Sequence, residues 1–162
     1  MKRWLLFFLF MAVNPLWAET TQSLQLTANF IYRFSQFTQW PPPPSQQLLI
    51  CIDRHPALLN QFGYIKLPAT FSVAAFDPQL TPRCDILVLT EFSETDPGHW
   101  QAFLQQKPIL VITDQAFVYR HTGIIRLFMT TEGFNFDVNL ARARAHGLQL
   151  SSHLLKLART ID

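Results

Sequence analysis

The chain has 162 residues, of which 49% are hydrophobic and 14% aromatic, so it can bury the core of one domain. Its formal net charge is +2, and two basic residues, Lys2 and Arg3, lie in an N-terminal segment that we expect to be removed. Their loss lowers the number of basic residues from 13 to 11, which equals the number of acidic residues. This balance excludes an electrostatic basis for nucleic-acid binding.

Residues 1–18 have the pattern of a secretory signal peptide. Lys2 and Arg3 are followed by an apolar centre at residues 4–13 and by a small residue, Ala18. The apolar run is short for a membrane span, and an uncleaved anchor is the alternative. No cysteine lies at the end of this segment, where a lipoprotein would carry one, which disfavours a lipoprotein. We expect cleavage after Ala18, which leaves an exported domain of residues 19–162.

Residues 23–40 are predicted to form the first helix. Their large apolar side chains recur at helical spacings and share one face: Leu26, Phe30, Phe34, Phe37 and Trp40. This face is expected to pack on the core, and a partly exposed interaction face is the alternative. Pro41 to Pro44 then end the helix and form an extended spacer.

Four apolar segments are predicted to be strands of one sheet: residues 48–52, 70–76, 86–89 and 109–112. Short helices are predicted between them, at residues 55–59 and after Asp96, which is expected to cap a helix beginning with Pro97. This alternation predicts a single α/β domain with a mixed, mostly parallel sheet flanked by helices.

The last third of the chain predicts an antiparallel hairpin followed by two helices. Residues 124–128 and 134–138 are rich in β-formers and are separated by a turn at residues 130–133. Apolar and polar residues alternate along the second strand, so one of its faces is expected to be polar. Asn139 is predicted to cap a helix that Gly147 ends, and Ser151 or Ser152 to cap the last helix. The apolar residues of that last helix are Leu154, Leu155, Leu157 and Ala158.

Three of the predicted strands are followed by an acidic residue: Asp53, Glu91 and Asp114. Ligands of open α/β sheets bind at the carboxyl ends of strands, so these carboxylates form a candidate Mg²⁺ site. The favoured alternative is that they form turns and helix caps. Cys51 and His55 are a weaker candidate pair, because a disulfide would consume the thiolate. We therefore predict no metal and no cofactor.

The sequence lacks the motifs of common catalytic sites. Ser151 and Ser152 have no G-x-S-x-G turn, and the five glycines form no phosphate-binding motif. The five histidines lack the spacing of a metalloprotease or a structural zinc site. We therefore predict that the protein is not an enzyme.

A polar cluster in the last third is the candidate partner-binding surface. It consists of Glu132 in the predicted turn and of Arg142, Arg144 and His146 on the following helix. Arginine is common at interfaces because its planar guanidinium binds a carboxylate through two hydrogen bonds. The alternative is an ordinary solvated helix face.

The two cysteines, Cys51 and Cys84, both lie in the part expected to be exported. An even number of cysteines in an oxidising compartment favours one disulfide, which would stabilise the fold by about 3 kcal/mol. Two buried free thiols are the alternative.

Four segments of the chain resemble the YfiR family of small periplasmic proteins. They read F-x-x-R-x-x-G-I-I-x-L at residues 117–127, F-x-F-D-V-N-L-x-x-A-R-A-x-G-L-x-L-S-S-x-L-L-x-L-A at 134–158, F-x-x-W-P at 37–41 and C-D-I-L-V-L at 84–89. The resemblance covers most of the exported chain. One departure lies just before Gly123, where the family usually has a second glycine.

The resemblance implies a non-enzymatic repressor of a membrane-bound diguanylate cyclase. Such proteins bind the periplasmic domain of the cyclase and lower cyclic di-GMP production and biofilm formation. An OmpA-like outer-membrane lipoprotein sequesters the repressor, members form homodimers, and their disulfide chemistry is linked to redox control. Cys51 and Cys84 match the family's bridging pair, whereas a second bridge of some members has no counterpart here. The alternative function is a periplasmic small-ligand sensor that serves a histidine kinase or a transporter.

Overall fold

The computed structural model describes residues 16–42, 47–79, 83–105 and 107–162. Most of the predicted signal peptide and half of the predicted proline spacer lie outside these residues. Cleavage after Ala18 therefore stays a prediction.

The described residues form helices and strands in alternation, as the sequence predicts. The helices are α1 (Leu16–Gln36), α2 (Pro56–Gln61), α3 (Pro97–Leu104), α4 (Ala116–His121), α5 (Leu140–Ala145) and α6 (Ser152–Leu157). The strands are β1 (Thr38–Gln39), β2 (Leu48–Ile52), β3 (Phe71–Ala75), β4 (Ile86–Leu89), β5 (Leu110–Thr113), β6 (Ile125–Thr130), β7 (Gly133–Val138), β8 (Gln149–Leu150) and β9 (Thr160–Ile161).

Seven strands form the main sheet, in the order β3-β2-β4-β5-β6-β7-β9. All neighbours are parallel except β6 and β7, which form the antiparallel hairpin. The two remaining strands, β1 and β8, pair with each other in a small antiparallel sheet. The predicted fold class, α/β with a mostly parallel sheet and a late hairpin, is confirmed.

Each face of the sheet carries a hydrophobic cluster. On one face, α1 and α2 cover the central strands with Ile31, Phe34 and Leu58. On the other face, α3 and α4 contribute Trp100 and Val118. The central strands β4 and β5 are buried along their whole length, which explains why their sequences are continuously apolar.

The first helix ends earlier than predicted. It spans Leu16–Gln36 instead of residues 23–40, and the two residues after Phe37 form β1. The carbonyl of Phe37 accepts a hydrogen bond from the backbone N–H of Ser151 (2.9 Å). From this point the backbone forms the hydrogen bonds of the small sheet instead of those of the helix. Phe37 and Trp40 still pack against the first hydrophobic cluster, as the core interpretation predicts, whereas Leu26 of the same predicted face is 41% exposed.

The hairpin is confirmed, and its strands are longer than predicted. β6 and β7 pair along all six residues, from Ile125 and Val138 at one end to Thr130 and Gly133 at the other. The turn therefore holds only two residues. Gly133 has φ +117°, a conformation that L side chains rarely adopt, so this position needs a glycine.

The predicted caps Asp96, Asn139 and Ser151 are confirmed. Each side chain accepts a hydrogen bond from a backbone N–H of the helix that follows, at 2.7–3.1 Å. Gly147, at φ +74°, directly follows the C-cap of α5, so that helix ends at the predicted glycine. Of the apolar residues predicted for the last helix, Leu154 is buried, whereas Leu157 is 63% exposed and Ala158 follows the helix as its C-cap.

Gly123 has a steric role at the end of α4. A side chain there would place its Cβ 2.7 Å from the Tyr119 Cα and 3.0 Å from the Thr113 Cγ2. These distances are shorter than van der Waals contact, so only glycine allows the chain just after α4 to pack this closely between α4 and β5.

Candidate functional site

The carboxyl ends of the parallel strands border a cavity of about 280 Å³, which we call the strand-end cavity. Residues of α1 between Thr20 and Ile31 line one side of it. Its interior is formed by apolar side chains from both helices and strands: Ile31, Leu58, Val88, Ile112, Leu127 and Phe134. Its polar lining includes His55, Glu91 and Asp114. An apolar cavity with a few convergent polar groups has the general form of a ligand site.

Glu91 lies close enough to Asp114 for its negative charge to affect the pKa of Asp114. Burial raises the pKa of Asp114 to about 6, and the negative charge of Glu91 is the second cause. Burial also lowers the pKa of His55, so this side chain stays neutral near pH 7. Among the described residues, neither Lys nor Arg lines the cavity. The cavity therefore combines an apolar interior with two acidic side chains.

Asp114→Asn is expected to make the melting temperature less dependent on pH. The folded state binds the Asp114 proton more tightly than the unfolded state, so the stability from this group is lost as the pH rises through about 6. Asparagine cannot ionise and removes this loss. The advantage of the variant in melting temperature should therefore be larger at about pH 7.5 than at about pH 4.

Scanning fluorimetry across this pH range measures the effect, and Glu132→Gln, at an exposed acid outside the cavity, is the control. Asp114 keeps contact with solvent, so screening will hold the change to a few degrees. A difference in melting temperature that stays constant with pH would contradict the assignment of the pKa.

Asp53 lies apart from the acid pair. It is 5% exposed, and burial raises its pKa, while a hydrogen bond with Ser93 opposes this rise. It lines a second cleft, of about 300 Å³, together with Glu94 and His99. The three predicted acids therefore do not converge. The described residues contain no group of three or more His, Cys, Asp or Glu side chains that could hold a metal.

Asp53 and Asp114, which we interpreted as turn residues or helix caps, do not cap the helices that follow them. His55 caps α2, because its Nδ1 accepts a hydrogen bond from the backbone N–H of Leu58 (3.2 Å). Gln115 occupies the N-cap position of α4 and makes no side-chain cap bond. Glu91 lies in a turn, as predicted.

Three of the four residues predicted to bind a partner lie together at the end of α5. Arg142 and Arg144 are in its last turn, and His146 is its C-cap. The guanidinium of Arg142 donates three hydrogen bonds of 2.5–2.9 Å to backbone carbonyls at the end of α4. The Nδ1 of His146 lies 2.9 Å from the carbonyl oxygen of Lys107. Arg142 therefore stabilises the packing of α4, and Arg144 is exposed.

Glu132 does not join this cluster. It lies in the turn between β6 and β7, at the same end of the sheet as the strand-end cavity. The chain then follows the six residues of β7, a length of about 17 Å, before α5 begins. The predicted surface is therefore two separate places on the molecule.

An ionic cluster on the hairpin was not predicted. Asp137 is 4% exposed, and the guanidinium of Arg159 donates to both of its carboxylate oxygens at 3.0 Å. The Nη1 of Arg126 lies 3.7 Å from the same carboxylate. Both guanidiniums lie over the ring of Phe128, at 4.7 Å for Arg126 and 4.5 Å for Arg159. The polar alternation of β7 marked Asp137, but no local signal pointed to Arg159.

Cys51 and Cys84 form a disulfide bond, with their Cα atoms 6.0 Å apart. The bond joins β2 to the segment just before β4 and closes a loop across 33 residues that includes α2 and β3. Both cysteines are buried in the hydrophobic cluster to which Trp100 of α3 also belongs. The alternative of two free thiols does not apply, because neither cysteine is free.

Comparison with known proteins places this fold in a family. No described helix has the length and apolar character needed to cross a membrane. A search of the curated proteins found no match. Among solved structures, the chain is similar to a conserved domain protein from Vibrio cholerae O1 biovar El Tor str. N16961, with a TM-score of 0.59 and 8% identity. The match covers 86% of this chain and 60% of that one, and it concerns the fold alone.

A family model described as YfiR/HmsC-like matches residues 24–159, which include every element of the main sheet except β9. The family consists of periplasmic regulators that act through partner proteins. Because the match covers far more than half of its residues, the chain belongs to the YfiR/HmsC-like family.

Proposed function

We propose that this protein represses an inner-membrane diguanylate cyclase by binding the periplasmic domain of that enzyme. Binding lowers cyclic di-GMP production and biofilm formation. The family match over residues 24–159 is the observation that carries the proposal, because the family regulates through partner proteins. The signal-peptide pattern of residues 1–18 and the Cys51–Cys84 disulfide support export to the periplasm.

The exposed end of α5 is the proposed contact surface for the cyclase. Arg144 is exposed there and offers a guanidinium to a carboxylate of the partner. His146 borders this surface, whereas Arg142 is already bonded to α4 and serves the fold. Glu132, at the other end of the hairpin, would belong to a separate contact.

Charge reversal at Arg144 is expected to abolish cyclase binding and leave the melting temperature unchanged. Arg33→Glu is the matched control, because Arg33 is also an exposed arginine in the last turn of a helix. Binding to the purified periplasmic domain of the cyclase, measured by calorimetry, distinguishes the two variants. Loss of both binding and stability in Arg144→Glu would assign this residue to the fold instead.

The cellular test is the level of cyclic di-GMP after deletion and restoration of the gene. We expect a rise on deletion that exported protein reverses and that vanishes in a strain lacking the cyclase. No change, in cells that express both proteins, would contradict the proposal.

We further propose that the protein forms a homodimer and that an OmpA-like outer-membrane lipoprotein sequesters it. The oxidised form is the one that binds the cyclase, and reduction of the disulfide shifts the population away from it. If dithiothreitol leaves cyclase binding unchanged, the redox part of the proposal fails.

The second candidate function is a small-ligand sensor that serves a histidine kinase or a transporter. The strand-end cavity favours it, because an apolar cavity with convergent acids is suited to a small molecule. An unchanged level of cyclic di-GMP in the deletion strain would favour this candidate.

A further inference from the structure

We infer that the strand-end cavity binds a small amphipathic cation, a primary amine that carries an apolar chain or ring. This inference concerns the ligand of the sensor function and does not depend on cyclase repression. It rests on the shape of the cavity, on the distribution of polar groups in its lining and on the charge of its two acids.

The interior of the cavity is suited to an apolar group. Side chains of α1, α2, β4, β5 and β6 close around it, and those deepest in the core include Ile31, Val88 and Ile112. The volume of about 280 Å³ lies near the lower limit of ligand cavities, so the ligand is small. Burial of its apolar part would contribute about 25 cal/mol for each Å² removed from water.

The polar part of the lining is suited to a cation. Glu91 and Asp114 both line the cavity, and the negative charge of Glu91 contributes to the raised pKa of Asp114. His55 is the remaining titratable group of the described lining, and burial lowers its pKa. The positive charge of Arg126 has the smallest effect on the pKa of Asp114 among the contributing groups. Its guanidinium lies next to the carboxylate of Asp137.

A protonated amine matches this arrangement better than a metal ion. An ammonium group has three N–H donors, so it can bond two carboxylates at once and relieve their repulsion. Mg²⁺ and Ca²⁺ require about six oxygen ligands in ordered geometry, and the apolar interior would contribute none. An ammonium with an apolar substituent uses both parts of the cavity.

Hexylamine and 1-hexanol are matched probes for the exported protein. They have nearly the same shape, and only the amine is charged at neutral pH. By isothermal titration calorimetry, we expect hexylamine to bind at least tenfold more tightly than 1-hexanol, which corresponds to about 1.4 kcal/mol. Equal affinities would overturn the assignment of a cation, and no binding of hexylamine would overturn the site itself.

Variants of the two acids locate the binding site. Asp114→Asn and Glu91→Gln should each weaken hexylamine binding at least tenfold and leave 1-hexanol binding unchanged. Neither change is expected to disturb folding, because Glu91 is exposed and Asp114→Asn is expected to stabilise the protein near neutral pH. Glu132→Gln, at an exposed acid of the hairpin turn that does not line the cavity, should bind hexylamine as wild type does.

If the two cavity variants and Glu132→Gln weaken binding equally, the amine is held by general surface charge and the inference fails. The measurement contains no cyclase, so its result is independent of cyclic di-GMP in cells. A protein that binds hexylamine but does not alter cyclic di-GMP would keep the ligand site and lose the repressor function. A protein that alters cyclic di-GMP but does not bind hexylamine would keep the repressor function and lose the ligand site.

Discussion

Replacing both Cys51 and Cys84 with alanine is expected to lower the free energy of unfolding by about 3–4 kcal/mol. The disulfide closes a loop across 33 residues, so its loss restores the conformational freedom of that loop in the unfolded state. The change is a large part of the total stability of a domain of this size. Unfolding by urea, followed by tryptophan fluorescence, measures it, because Trp100 packs in the same cluster as the disulfide.

Wild-type protein treated with dithiothreitol is the control for this variant. Reduction restores the same freedom without removing sulfur atoms from the core, so it should lower the stability by a similar amount. The double variant itself should not respond to dithiothreitol. Loss of less than about 1 kcal/mol in both experiments would contradict the stabilising role of the disulfide.

Asp137→Ala is expected to cost about 2 kcal/mol of stability and to loosen β9. The carboxylate accepts two hydrogen bonds from Arg159 and lies beside Arg126. Its removal leaves two guanidiniums over one phenylalanine ring with no counter-charge between them. The cost stays below that of a fully buried pair because Arg159 keeps contact with solvent.

Hydrogen exchange distinguishes this local effect from a global one. The backbone N–H of Asp162 donates to the carbonyl of Val138 in the β7–β9 pair, so it should exchange faster in the variant. The exchange rates of the amides in the central strands should change only as far as the global stability of the protein changes. Glu132→Ala, which removes an exposed acid from the same hairpin, is the control and should change neither quantity. Unchanged protection of Asp162 in Asp137→Ala would contradict the proposed role.

Local patterns were sufficient for most of the fold. The buried strands were predicted within one or two residues because an apolar run covered on both faces is a strong signal. Caps were also predicted, because a cap depends on one side chain and the three residues after it. The end of α1 and the strand β9 were not predicted. Both depend on hydrogen bonds to segments far along the chain, which leave no periodic pattern.

The candidate sites depended more on tertiary structure. The sequence marked Glu91 and Asp114 as strand-end acids, and parallel pairing of β4 and β5 brought them to one cavity. It marked Asp53 in the same way, but that side chain lines a different cleft. It grouped Glu132 with the arginines of α5, although β7 separates them.

By itself, the sequence determined the fold class, the disulfide-forming pair, the caps of α3, α5 and α6 and the family of this protein, because each is encoded by residues close together or by residue types that are few. Only the tertiary structure decided which face each polar residue occupies. In the folded protein Arg142 is hydrogen-bonded to α4, whereas Arg144, two residues later on the same helix, is exposed. It also buried Asp137 between two arginines and enclosed an apolar cavity behind two acids. These outcomes depend on how the helices pack across the sheet, and side chains distant in sequence settle that packing together.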